Sequence, residues 1–187
     1  MARRKPDPGA IYVSPRLQAS LEPMGRCALT TVTAPMGYGK TTAVNWFLAA
    51  QPPGSAIRVS IYSDSLPALW ESGRRAFRAA GLTVLEGFEC PGDPASAGLL
   101  ADTLCRELRR PEPWYLFADD LHLLPDPRMA RFLCELAARL PENVHLIAAS
   151  RDRILSGDQV LRLGGRLHRI GAEQLRLEGG ELAAYVH

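Results

Sequence analysis

Apolar and polar positions along the chain keep two rhythms, and the switch between them recurs. The first rhythm is short and apolar or alternating. It covers Ala28-Leu29-Thr30-Thr31-Val32-Thr33, then Ala56-Ile57-Arg58-Val59-Ser60-Ile61-Tyr62, whose Ile57, Val59 and Ile61 share one face. It returns at Trp114-Tyr115-Leu116-Phe117-Ala118, at Val144 to Ser150, and briefly at Arg166-Leu167-His168-Arg169-Ile170. These segments predict strands, and the continuous apolar runs at 114–118 and 144–150 predict strands buried on both faces. The second rhythm has helical spacing. It predicts helices over Ala43 to Ala50, from Leu66 to about Ala80, from Leu99 to Arg110, and after Asp126-Pro127, where Met129, Phe132, Leu133, Leu136, Ala137 and Leu140 form one stripe. Asp126 is placed to cap that last helix, Pro127 suits its first position, and Pro141 stops it. Strand and helix in alternation predict an α/β domain with a mostly parallel sheet.

The remaining stretches frame this domain. Residues 1–10 (MARRKPDPGA) read as a flexible basic lead-in. Ile11 to Val13 give an extended piece, Ser14-Pro15 punctuates it, and a brief helix through Leu21 packs Leu17 against Leu21. The proline- and glycine-rich stretch from Gly87 to Gly98 reads as a loop. Residues 178–187 read as a helix cut off soon after it begins, so residues 11–187 are expected to be one domain of a longer protein.

Composition narrows the class. A chain of 187 residues with 47% hydrophobic content buries one good core, and a net charge of +2 is too balanced for a nucleic-acid footprint. Cys27, Cys90, Cys105 and Cys134 form no metal-spaced pair and read as buried thiols of a cytoplasmic protein. No apolar run approaches the ~18 residues of a membrane span, and Met1-Ala2-Arg3-Arg4-Lys5-Pro6 is not followed by the apolar segment expected of a signal peptide. Tyr62, Trp70 and Trp114 read as core aromatics.

Chemistry concentrates in three places. Ala34-Pro35-Met36-Gly37-Tyr38-Gly39-Lys40-Thr41-Thr42 follows the first strand and opens a helix. A glycine-rich turn there points backbone N–H groups at an anion, and the lysine ammonium neutralises outer phosphates. Gly39, Lys40 and Thr41 fill the last fixed positions of the phosphate-loop pattern, while Ala34 stands where its first glycine belongs; a negative φ at Ala34 would make that harmless. Asp119-Asp120 ends the Trp114 strand, where one acid can serve Mg²⁺ with Thr41 and the other can orient or deprotonate a water. Arg151, after Ser150 at the end of the next strand, is placed to sense a terminal phosphate; pairing with Asp152 is the alternative. His122 reads as structural or supporting, since no second histidine stands at ligand spacing.

TAPMGYGKTT, LFADDLH, LIAASR and IGAEQLRLEGGELAAYV occur in the order and spacing of a known family. The chain resembles, from about Ser14 to Val186, the N-terminal ATPase domain of the large MalT-like LuxR-family transcriptional regulators, which are STAND-class P-loop NTPases. The resemblance implies a three-layer, ASCE-type P-loop fold with a central, mostly parallel sheet flanked by helices. It also implies an ATP/ADP switch with slow Mg²⁺-dependent hydrolysis. By that pattern Pro35, Met36, Gly37, Tyr38, Gly39, Lys40, Thr41 and Thr42 hold the nucleotide, Thr41 and Asp119 serve the metal, and Asp120, Lys40 and Arg151 carry the catalysis. Val13 and Arg16 match the segment near the adenine end. Implied partners are downstream sensor and DNA-binding domains of the same protein and an ATP-dependent homo-oligomer, without direct DNA contact by this chain. From the residues alone, a P-loop kinase acting on a small acceptor and a non-hydrolysing nucleotide scaffold stay open.

Overall fold

The computed structural model describes residues 12–178 and Glu181. The expected lead-in at 1–10 lies outside the described residues, as does most of the expected C-terminal helix. In chain order the elements are α1 (Pro15–Leu21), β1 (Leu29–Thr33), α2 (Lys40–Ala49), β2 (Ala56–Ser60), α3 (Leu66–Ala79), α4 (Pro94–Glu107), β3 (Trp114–Asp119), α5 (Pro127–Arg139), β4 (Val144–Ser150), α6 (Gly157–Leu163), β5 (Leu167–Ile170) and α7 (Ala172–Leu175). Short 3₁₀ turns fill several junctions, among them Val84–Gly87 and Leu121–Leu123.

The five strands pair in the order β2-β3-β4-β1-β5, all parallel. β4 therefore lies between β1 and β3, with Thr33 opposite Ser150 and Ala118 opposite Ala148. Parallel strands present their carboxyl ends on one edge, so the segments following β1, β3 and β4 emerge side by side.

Period-2 alternation divides the sheet's side chains between two cores. Trp114, Leu116, Leu146 and Ala148 face α3, α4 and α5, where Phe77, Leu100, Leu104, Leu133 and Leu136 meet them. Tyr115, Phe117, Ile147 and Ala149 face the opposite side, against Leu17 and Leu21 of α1, Val44 and Phe47 of α2 and Leu175 of α7. Helix, sheet, helix is the three-layer α/β architecture that the resemblance implies, and its parallel sheet is the one the alternation of elements predicts. Each such buried Leu or Phe stabilises the fold by about 1.5–3 kcal/mol before the entropy of ordering is subtracted.

Helix starts follow side-chain chemistry. Ser14 Oγ accepts from Leu17 N–H at 3.2 Å, and Asp126 Oδ1 from Arg128 N–H at 2.9 Å. Asp93 does the same for Ala95 and Ser96, each at 3.0 Å, with Pro94 at the first helical position. The helix expected from Leu99 thus begins at Pro94, and the loop expected up to Gly98 is shorter at that end. Ser156 and Gln159 form a capping box for α6, a helix the periodicity does not announce.

Tyr62 corrects another expectation: it is 84% exposed, because β2 ends at Ser60 and the chain beyond it leaves the sheet. Trp70 is half-buried and Trp114 buried, as expected. Of the thiols, Cys105 and Cys134 are buried whereas Cys27 and Cys90 are half-buried. Among the described residues no helix is long and apolar enough to cross a membrane.

Candidate functional site

The loop between β1 and α2 owes its shape to two glycines. Gly37 and Gly39 have φ of +86° and +75°, the left-handed region that side chains disfavour, and added Cβ atoms at either would meet open space. Glycine is therefore required by backbone conformation rather than by crowding. Ala34 has no positive φ, so its methyl group costs no backbone strain. Its N–H donates to Ser150 O at 3.3 Å, which ties the start of the loop to the end of β4.

Gly39 is the cap residue of α2 and, having no side-chain oxygen, leaves the helix start uncapped. The first N–H groups of α2, at Lys40, Thr41 and Thr42, thus have no capping side chain, at the positive end of a ten-residue helix. Pro35, Met36, Gly37, Tyr38 and Thr42 are exposed around this opening. Lys40 is buried, and its ammonium donates to Ala34 O at 2.7 Å and Pro35 O at 3.0 Å. The ammonium is thereby held inside the loop by the loop's own carbonyls.

Thr41 and Asp119, 78 residues apart in sequence, meet at the sheet edge. Thr41 Oγ1 lies 3.0 and 3.2 Å from the two carboxylate oxygens of Asp119, which is 4% exposed. Asp120 N–H donates to Asp119 Oδ1 at 3.0 Å. Asp120 itself has φ +58°, the only positive φ of a non-glycine among the described residues, and its side chain is half exposed. Aspartate tolerates that region better than most residues, and strain of this kind concentrates at functional sites. His122 Nδ1 stands 3.8 Å from Asp120 Oδ1, and both ring nitrogens are buried without a hydrogen-bond partner.

Arg151 is exposed at the end of β4 and reaches the loop, its Nη2 donating to Met36 Sδ at 3.4 Å rather than pairing with Asp152. Val13 is buried in the same core cluster as Ala34, Ala43 and Val44, beneath the loop. Arg16 is engaged elsewhere. Its guanidinium donates to the carbonyls of Glu173 and Gln174 at 3.2 Å each, to Arg176 O, and to Glu181, whose carboxyl it holds down to about 2. Lys40, Thr41, Asp119, Asp120 and Arg151 are thus brought to one edge, while Arg16 fastens α1 to the segment after α7.

One participant is absent from the sequence reading. Arg58 on β2 donates from Nη2 to Asp119 Oδ2 at 2.7 Å, with its guanidinium 5.2 Å from the centre of the Phe117 ring. The available signal was weak: the polar face of the β2 alternation, which gains meaning only when Arg58 is in register with Phe117.

Hard oxygen donors from a threonine and a carboxylate beside a glycine loop and an uncapped helix start fit Mg²⁺, which takes one or two protein oxygens and fills its shell with water and phosphate. No group of three His, Cys, Asp or Glu side chains forms a metal cage among the described residues. A separate apolar cavity of about 580 Å³ lies between α3, α4 and α5, lined by Trp70, Phe77, Leu104 and Phe132. It is remote in composition from the polar chemistry of the loop.

Similarity to known proteins bears on this geometry. No family model matches the chain. Over 176 residues it is 26% identical to the HTH-type transcriptional regulator MalT of Cronobacter sakazakii, covering 87% of this chain and 18% of that protein. The chain is similar to MalT in sequence and has a three-layer α/β P-loop fold. A STAND protein with a tetratricopeptide-repeat sensor from Pyrococcus horikoshii superposes on this chain with a TM-score of 0.60 at 15% identity, over 93% of this chain and 25% of that one. Drosophila ORC in its DNA-bound structure gives a TM-score of 0.51 at 13% identity, over 90% of this chain and 97% of that one. At such identities the two structures speak for the fold of the chain alone. The domain spans under a fifth of the length of the curated relative it matches.

Proposed function

We propose that residues 11–187 form the nucleotide-binding domain of a LuxR-family, MalT-like transcriptional regulator, an ATP/ADP switch with slow hydrolysis. The observation that carries this reading is the meeting of Thr41 and Asp119 at the rim of the Gly37–Gly39 loop, with Lys40 inside it. The Lys40 ammonium and a helix N-terminus are there offered to a phosphate chain, with the Asp119 carboxylate beside them for its metal. A triphosphate gives the Lys40 ammonium charged acceptors in exchange for two neutral carbonyls, a stronger class of hydrogen bond.

In this reading Thr41 and Asp119 hold Mg²⁺, whose chemistry at such a site is neutralisation of phosphate oxygen charge. Asp120, exposed beside Asp119, orients the attacking water and accepts its proton; Arg151 senses the terminal phosphate from across the loop. Sensor and DNA-binding domains of the same protein, together with an ATP-dependent homo-oligomer, receive the output. DNA contact is not assigned to this chain, and a cytoplasmic location follows from the regulatory role.

Calorimetry with Mg-ATP and Mg-ADP tests the reading. Binding is expected for both, weakened by about 10- to 100-fold in Lys40→Ala, the worth of a hydrogen bond to a charged group. Phosphate release without any acceptor is expected, and Asp120→Asn should suppress it while leaving binding intact. Absence of binding at high micromolar protein would defeat the proposal, and strict dependence on an acceptor would replace the switch with a kinase.

A further inference from the structure

Nucleotide binding does not call for the contact between Arg58 and Asp119. Both Asp119 oxygens are engaged twice: Oδ1 by Thr41 at 3.2 Å and Asp120 N–H at 3.0 Å, Oδ2 by Thr41 at 3.0 Å and Arg58 Nη2 at 2.7 Å. Asp119 is almost wholly buried, so its carboxylate needs a cation, and removing the partner of a buried charge is strongly unfavourable. The guanidinium supplies that cation from outside. Its side chain is 44% exposed, starts on the edge strand β2, crosses the Phe117 ring and touches Asn45 Oδ1 at 3.5 Å. Held by one strong bond and two weak contacts beside solvent, it can leave without disturbing the core.

A divalent cation coordinated by Asp119 needs an oxygen lone pair at about 2.0–2.1 Å and carries the same sign as the guanidinium. The two cannot share Oδ2 on equal terms. We propose that Arg58 is the resident counter-ion of the metal position, pairing with Asp119 when no divalent cation is bound and swinging into solvent when the cation enters with its nucleotide. The inference rests on the nucleotide reading above and deepens it. Occupancy of the loop then alters the charge displayed at the β2 edge, some distance from the phosphates. Displacement of Arg58 also sets a threshold of Mg²⁺ below which the nucleotide is held by the loop alone.

The test is a titration of the whole chain with a fluorescent ADP analogue at stepped Mg²⁺, EDTA defining zero, for wild type, Arg58→Gln and Arg58→Lys. Melting temperatures are recorded alongside, without ligand and with Mg-ADP. Arg58→Gln should lower the half-saturating Mg²⁺ by about two- to tenfold, the span of a partly exposed charge pair. Its affinity in EDTA should stay at the wild-type value. Its ligand-free melting temperature should fall, and Mg-ADP should close the gap. Arg58→Lys, which keeps the charge without the fork, should give an intermediate midpoint and carries the test alone if Arg58→Gln does not fold. A Mg²⁺ midpoint unchanged or raised in the variants overturns the counter-ion role while leaving nucleotide binding in place. Failure of wild type to bind the analogue with or without Mg²⁺ overturns the nucleotide reading, and the counter-ion role with it.

Discussion

Asp120 concentrates at one residue the tension between stability and chemistry. Its φ of +58° is a conformation that L-residues avoid, tolerated by aspartate through local polar contacts. Replacing it by alanine removes those contacts and keeps the Cβ, whereas glycine removes the Cβ penalty itself. Asp120→Gly should therefore be more stable than Asp120→Ala by about 1 kcal/mol in denaturant unfolding, although both lose the carboxylate. Equal stabilities would mean that the backbone relaxes out of the left-handed region at no cost.

His145 gives a second prediction at this scale. Its ring is buried, stacks on Tyr115 at 5.2 Å between centroids, and is hydrogen-bonded through Nδ1 to Cys27 O at 2.9 Å. Burial pushes its pKa below the ordinary 6.5, an effect that the Cys27 bond only partly offsets. Below pH 6.5 the unfolded chain therefore binds a proton that the folded chain resists. The contribution of neutral His145 is complete above pH 6.5 and is lost as the pH falls toward the lowered folded value. His145→Gln should flatten the fall in melting temperature over that window, at a cost of about 1–3 kcal/mol at pH 8 from the disturbed burial. An unaltered pH profile would show that another group governs the acid limb.

At the scale of elements, what the sequence revealed depended on whether the signal was local. The stripe behind Asp126-Pro127 announced the start of α5, because cap, proline and period all sit within one segment. Asp93-Pro94 carries the same cap chemistry for α4, yet the glycines and second proline around it read as loop. The Ser156 and Gln159 capping box opens a helix of seven residues, too short for a period to emerge. Lys40, Thr41, Asp119, Asp120 and Arg151 could be picked out because each lies at or beyond the carboxyl end of a strand, and a parallel sheet sends strand ends to one edge. Arg58 could not, because its role depends on pairing with a strand 56 residues later in the chain, and no local pattern encodes register. Arg16 shows the converse: the motif position was legible, but the acceptors that engage it lie more than 150 residues away.

Within α3, Gly73 is buried in mid-helix with a negative φ, and a Cβ there would meet Leu85 Cδ1 at an ordinary 3.7 Å. Gly73→Ala should raise stability by about 0.5–1 kcal/mol, the usual gain from reduced unfolded-state entropy at a compatible site. A loss on thermal denaturation would indicate that the helix face around Leu85 has no room to adjust.

For the whole molecule, the two cores do unequal work. The face toward α1, α2 and α7 carries the loop side of the sheet through Tyr115, Phe117 and Ile147. The face toward α3, α4 and α5 encloses the 580 Å³ cavity and supports β3 and β4 from behind. The chain spans 18% of the length of the MalT relative that it matches.

The four thiols turn this division into a clock. Cys105 on α4 and Cys134 on α5 are buried, and burial pushes both thiols above their ordinary pKa, leaving little thiolate to react. Cys27 and Cys90 are half-buried and within reach of solvent, so access sets them apart although burial raises the Cys90 thiol as well. Alkylation followed by mass spectrometry should label these two first, and the other pair only as fast as the α4–α5 layer opens. Two well-separated rates are expected; a single rate for all four would mean that the layer breathes as freely as the surface. Four ordinary cysteines thus make the unlabelled, native chain its own recorder of how often its back layer lifts from the sheet.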